Sequence, residues 1–151
     1  MKGEMFMMNN PILEIDKIKE GRKIDEIIAD KIFELPQIRK VYLKLSYDLV
    51  YNVWADKPDK NCLYVSVPEY STDIAEAWKV IEKVRQIDNC WCPNIYWDDN
   101  DGIGDGFWVC NFIYYGKSEE EYKECQSHDK SASLAICRAS LKAILSSDIF
   151  E

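Results

Sequence analysis

Two stretches of this 151-residue chain have residues suited to holding an anion, and a third could stack on a base. The turn Tyr70-Ser71-Thr72-Asp73 places hydroxyls and backbone N–H groups at the start of an amphipathic segment. A helix N-terminus there would accept negative charge. Arg138 stands in a helical pattern otherwise lined with small and apolar residues, where a guanidinium fork can grip phosphate through two parallel hydrogen bonds. The aromatic-rich runs on either side of residues 98–106 offer ring faces, and stacking on such faces is worth about 1–3 kcal/mol per base. Each feature also has a plainer use: helix capping for the turn, an ion pair for Arg138, core packing for the rings.

Other chemistries find less support. The acidic stretch Asp98-Asp99-Asn100-Asp101-Gly102-Ile103-Gly104-Asp105-Gly106 misses the EF-hand pattern, because placing Gly102 sixth puts Trp97 where the first oxygen ligand belongs. It reads as a solvated hairpin tip. Cys90-x-Cys92 and the lone His128 do not make a zinc spacing, since no Cys-x-x-Cys pair exists. No Gly-x-Ser-x-Gly, Walker or dinucleotide glycine pattern is present. The expectation is therefore a protein that is not an enzyme and uses no metal or cofactor.

The totals narrow the class further. A chain of this size reads as one domain over residues 1–151, with residues 1–9 as a loose start, and can bury about 70% of its unfolded surface. A net charge of −8 argues against duplex nucleic acid or an anionic membrane as partner, which both need a basic face. Six cysteines without a secretory leader or a long apolar run suggest reduced thiols, several of them in the core, in a cytoplasmic protein.

The elements that must position these residues follow from periodicity. Asn10-Pro11 suits a helix opening, continued by Ile12, Ile15 and Ile18 and stopped by Gly21. A second helix from Arg22 carries Ile24, Ile27, Ile28 and Ile32 on one face and Asp25 on the other, ending at Leu35-Pro36. Residues 41–54 read as strands, and residues 62–67 as a short alternating strand stopped by Pro68. Next comes a helix with Ser71 or Thr72 as N-cap and Ile74, Ala77, Trp78, Ile81 and Val84 as its apolar face. Residues 90–97 and 106–115 predict an antiparallel hairpin. Its second strand is apolar on both faces, as expected of a central strand with helices on each face. Residues 116–126 read as a charged loop or helical turn. A last helix, capped by Ser131 or Ser133, buries Leu134, Cys137, Leu141, Ile144 and Leu145.

Three segments stand out together: Glu20-Gly-Arg-Lys-Ile-Asp-Glu-Ile-Ile-Ala-Asp-Lys-Ile32, Pro68-Glu-Tyr-Ser-Thr-Asp-Ile-Ala-Glu-Ala-Trp-Lys-Val-Ile-Glu-Lys83 and Leu134-Ala-Ile-Cys-Arg-Ala-Ser-Leu141, with the Trp108-x-Cys110-x-Phe112 strand between the last two. In this order and spacing they resemble the phage ABA sandwich domain family of small bacteriophage proteins. The resemblance implies an α+β fold, a helix–antiparallel sheet–helix sandwich. It also implies kinship with phage anti-defence sponges, homo-oligomers (dimer or hexamer) that bind glycocyclic ADP-ribose, the Thoeris signal, or cyclic oligonucleotides without cleaving them. In such sponges an aromatic stacks a base and an arginine grips phosphate. Phe112 or Trp108, with Arg138, are the matching positions, beside the turn Tyr70, Ser71 and Thr72. The implied setting is the host bacterial cytoplasm. The alternative expectation is a small phage structural or interaction protein with no nucleotide ligand.

Overall fold

The computed structural model describes residues 14–35, 39–42, 50–55, 64–102 and 104–149, and the side chains of residues 39–66, Asp101 and 147–149 lie outside that description. The helix opening expected at Asn10-Pro11 also falls outside the described residues. Among the described residues, three helices with both ends described form where apolar periodicity places them: α1 (Arg22–Lys31), α2 (Ile74–Ile87) and α3 (Ala132–Ile149). Strands β1 (Arg39–Tyr42), β2 (Val50–Ala55) and β3 (Tyr64–Ser66) make one antiparallel sheet in the order β1-β2-β3. Strands β4 (Trp91–Asp98), β5 (Phe107–Tyr114) and β6 (Lys123–Asp129) make a second, in the order β4-β5-β6.

Helix α3 organises the core. It touches β5 and β6 on one side and α1 and α2 on another, so residues 133–143 are buried all round. Ala135, Ala139, Ser140 and Ala143 keep its surface slim enough for neighbours to approach on every side. A helix without a polar face belongs inside a protein, and this one is inside. Ser131 caps it: the hydroxyl accepts from Leu134 N at 3.3 Å. One cluster joins Ile24 and Ile28 of α1, Val80 and Val84 of α2, Trp91, Cys110 and Phe112 of the sheet, and the inward residues of α3. This is an α+β sandwich on a single core.

The hairpin registers Trp91 against Tyr114 and Asp98 against Phe107. At its tip Asp98 Oδ1 accepts from Asn100 N at 2.8 Å, starting a turn in which Asn100, Gly102 and Gly104 all take positive φ. Gly106 has another reason to be glycine: a Cβ there would sit 2.6 Å from the Trp97 ring.

Several expectations change. Gly21 does not end a helix but precedes α1, at φ 119°. Asp25 leaves the polar face and is buried, because Ser71 needs it. Ile74 and Trp78 are 53% and 51% exposed, while Val80 joins Ala77, Ile81 and Val84 inside. Finally, residues 116–126 contain a 3-10 turn, Glu119–Glu121, and the start of β6. Lys-Glu-Cys-Gln-Ser-His-Asp is poor strand material, and it is extended because β5 offers it a pairing edge from Trp108↔Asp129 to Tyr114↔Lys123.

Candidate functional site

The turn 70–73 is fastened to the start of α1. Ser71 Oγ accepts from Gly21 N at 2.8 Å, and Ser71 N donates to Asp25 Oδ1 at 2.8 Å. Burial raises the Asp25 pKa, and the two bonds from Ser71 pull against that rise. Tyr70 is buried with its ring stacked on Phe33, centroids 5.0 Å apart and planes 8° from parallel, and burial pushes its hydroxyl pKa up. With Ser71 engaged elsewhere, the N-cap of α2 is Asp73, whose carboxylate accepts from Ala75 N at 2.9 Å. This corrects the assignment of the cap to Ser71 or Thr72. Of the nominated turn residues only Thr72 is exposed.

Arg138 is 8% exposed and its fork is occupied. Nε and Nη2 donate to the Ile18 carbonyl at 3.0 and 2.7 Å, and Nη1 reaches Asp129 Oδ1 at 3.4 Å. Asp129 is the register partner of Trp108, so β6 carries the contact from the guanidinium to the indole's neighbour. Trp108, half-buried, meets Trp97 edge-on with ring centroids 5.5 Å apart, and Trp97 is 49% exposed. Lys130 adds a cation here, its Nζ donating to Gly106 O at 2.6 Å and lying 3.8 Å from Asp105. Two nominated residues, Arg138 and Trp108, therefore share one corner. Ser71 approaches the same stretch, residues 18–21, through Gly21, whereas Tyr70 stacks on Phe33 instead. Phe112 is elsewhere: it has no exposed ring face and packs edge-on against Trp91, 6.3 Å away. Two side-chain levels separate it from Trp108 along β5.

Chemically, the corner offers indole surface for stacking and two cations close by. A phosphate reaching Arg138 must displace Asp129 Oδ1, the longest of its three contacts. The guanidinium's shorter bonds hold the residues before α1 against α3. Lys142 does the same one turn later, donating to Asp16 Oδ2 at 2.7 Å and Gln126 O at 2.6 Å, while Ser127 Oγ donates to Asp16 Oδ1 at 2.8 Å. Neither Asp16 nor Lys142 carries a local signal that pairs them. Their partnership spans 126 residues.

Tyr115 and Tyr122 were also not singled out by the sequence. Their rings meet edge to face at 5.9 Å and wall an open hollow of about 630 Å³ with Lys117, Ser118 and Glu119. The Tyr122 hydroxyl donates to Glu124, which pushes its pKa up to about 12. Tyr-x6-Tyr around a Glu-rich turn is a weak signal that only the turn geometry makes meaningful.

Among the described residues no group of three or more His, Cys, Asp or Glu could hold a metal ion. Cys90, Cys92, Cys110, Cys125 and Cys137 are free thiols. Burial raises the pKa of Cys110 to about 12, and it also raises those of Cys125 and Cys137. His128 is exposed and packs against Phe107, ring centroids 4.8 Å apart. Among the described residues no helix is long and apolar enough to cross a membrane.

No curated protein and no solved structure matches the chain. A family model, the phage ABA sandwich domain, matches residues 26–141, from α1 into α3 and more than three quarters of the chain. The matched span takes in the turn 70–73, the Trp108 strand and Arg138. The protein is thus phage-associated, and it belongs to the phage ABA sandwich domain family.

Proposed function

We propose that this protein is a phage-encoded binding protein that sequesters a small nucleotide-type immune signal without cleaving it. Glycocyclic ADP-ribose is the first candidate and cyclic oligonucleotides the second. It acts as a homo-oligomer in the host cytoplasm, by mass action alone. One observation carries this reading: the exposed Trp97 and half-buried Trp108 indoles lie near Lys130, with Arg138 joined to Trp108 only through its register partner Asp129, in a chain of net charge −8. Stacking surface and cations concentrated at one corner of an acidic protein suit a ligand with a base and phosphates.

Sequestration needs a dissociation constant below the signal's working concentration, and micromolar binding is only about −8 kcal/mol. Isothermal titration with glycocyclic ADP-ribose is the direct test. Saturable heat, lost in Trp97→Ala at unchanged melting temperature, supports the reading. The absence of both heat and thermal shift at saturating ligand ends it. Recovery of intact ligand from the heat-denatured complex separates sequestration from hydrolysis.

A second reading rests on Ile74 and Trp78, one turn apart on α2 and each more than half exposed. An i,i+4 apolar pair on a helix surface suits a protein partner or a second copy, as in a phage structural or interaction protein. Sedimentation equilibrium with and without nucleotide distinguishes the two: ligand-independent assembly that Trp78→Glu dissolves favours this one.

A further inference from the structure

The hollow walled by Tyr115 and Tyr122 shares no residue with the tryptophan corner. It is built by the single turn that joins β5 to β6, and that turn is tied at several points. Tyr115 N donates to Cys90 O at 3.1 Å, Glu121 N to Ser118 O at 3.0 Å and Tyr122 N to Glu119 O at 3.3 Å. Glu121 closes the turn, its carboxylate accepting from Lys117 N at 2.7 Å, and Gly116 leaves room for it, because a Cβ at 116 would collide with the Glu121 side chain. Tyr122 is anchored only at its hydroxyl, which donates to Glu124 and leaves the ring faces uncovered by that bond.

Three features select the charge of an occupant. Tyr115 and Tyr122 are 56% and 49% exposed, and their rings lie 66° apart, so two electron-rich rings border one space. Glu119 lines the same space, and among the described residues no donor reaches its carboxylate. Residues 115–124 hold four glutamates against two lysines, and one of those lysines, Lys123, already stands over the Tyr114 ring, 5.4 Å from its centroid. Lys117 is the single cation lining the hollow. A phosphate entering there would meet a net negative turn; a cation would meet ring faces and a carboxylate without a partner.

We propose that this hollow binds a quaternary ammonium cation, with the Tyr115 and Tyr122 rings against its methyl groups and the Glu119 carboxylate balancing its charge. A quaternary ammonium has no N–H to satisfy, so ring faces can replace its water. A primary ammonium is strongly hydrated and keeps three donors, for which Glu119 alone offers too few acceptors. The hollow, about 630 Å³ and open to solvent, leaves room for the chain that such a cation carries.

The probe is choline, and its neutral carbon isostere is the control. Each is titrated into the full chain and followed by backbone amide chemical shifts. The expected result is saturable shifts centred on residues 115–122, with the isostere binding about fivefold more weakly or worse. Tyr115→Leu and Tyr122→Leu should each weaken choline about two- to fivefold, the range of one exposed cation–π contact. Glu119→Gln should weaken it and Lys117→Met should strengthen it; all four positions are exposed, so melting temperatures should not change. Phosphatidylcholine vesicles separate the sources of the cation: choline binding without vesicle co-sedimentation supports a free solute, and binding of both supports a lipid headgroup at the same site. Absence of shifts on the turn, equal binding of choline and isostere, or vesicle binding without choline binding would each overturn the proposal. So would shifts caused by inorganic phosphate and lost in Lys117→Met, which would give the hollow to an anion. Choline binding without glycocyclic ADP-ribose binding would leave this site standing and remove the sponge, and the reverse would remove this site alone.

Discussion

Replacing Arg138 by methionine keeps most of the aliphatic stem and deletes the guanidinium. The structure sets the expected loss. Two N–H groups converge on one acceptor, the Ile18 carbonyl, so they count as a single strong bond at the upper end of the charged range, about 3 kcal/mol. The contact to Asp129 adds less than about 1 kcal/mol, because that carboxylate is partly exposed and lies 3.4 Å away. Asp129 is not orphaned, since Ser131 N still donates to its Oδ2 at 2.8 Å. A total near 3 kcal/mol in a chain of this size corresponds to a fall in melting temperature of about 6–12 °C. Thermal and urea unfolding followed by tryptophan fluorescence measure it. Arg138→Lys should fall between parent and Met variant, because one ammonium cannot serve both acceptors in the fork's geometry. A melting temperature within about 1 °C of the parent would refute the assignment of Arg138 to the Ile18 carbonyl. Combined with lost binding of glycocyclic ADP-ribose, it would hand the guanidinium to the ligand instead.

Burial holds Asp25 above its ordinary pKa, so the folded state binds its proton more tightly than the unfolded chain does. The buried charge therefore weakens the fold at neutral pH. Asp25→Asn, which can still accept from Ser71 N, should be more stable than the parent at pH 7 by up to about 1.4 kcal/mol per unit of upward shift. The gap should close as pH falls through the folded pKa and vanish below the unfolded one; urea midpoints that diverge towards acid would contradict it. The buried thiols of Cys110, Cys125 and Cys137, all with raised pKa, should resist DTNB at pH 8 until denaturant is added, while exposed Cys92 reacts at once. Rapid labelling of Cys137 in the native protein would mean that α3 is not enclosed as described.

Local patterns were enough for the helices and the hairpin, because i,i+3/i+4 spacing and period-2 alternation encode a single buried face. Ile24 and Ile28, or Ala77, Ile81 and Val84, announce their helices without help from the rest of the chain. Ser131 was legible as a cap for the same reason, and the two-sided apolar run of β5 marked it as central. The order and spacing of three short segments sufficed for the family, which the match over residues 26–141 bears out.

What tertiary structure alone decided is where the polar groups go. Ser71 is drawn from capping α2 to holding Gly21 and Asp25, so Asp73 takes the cap. Arg138 and Lys142 turn inward because Ile18 O and Asp16, more than a hundred residues earlier, fold back against α3. Residues 123–129 become a strand only because β5 lies beside them with an open edge. Asn94, Asn111 and Gln126 form a row only once the registers are set. Burial periodicity is written within one turn or one pleat, whereas the partner of a charge or an amide depends on which distant segment the fold brings alongside it.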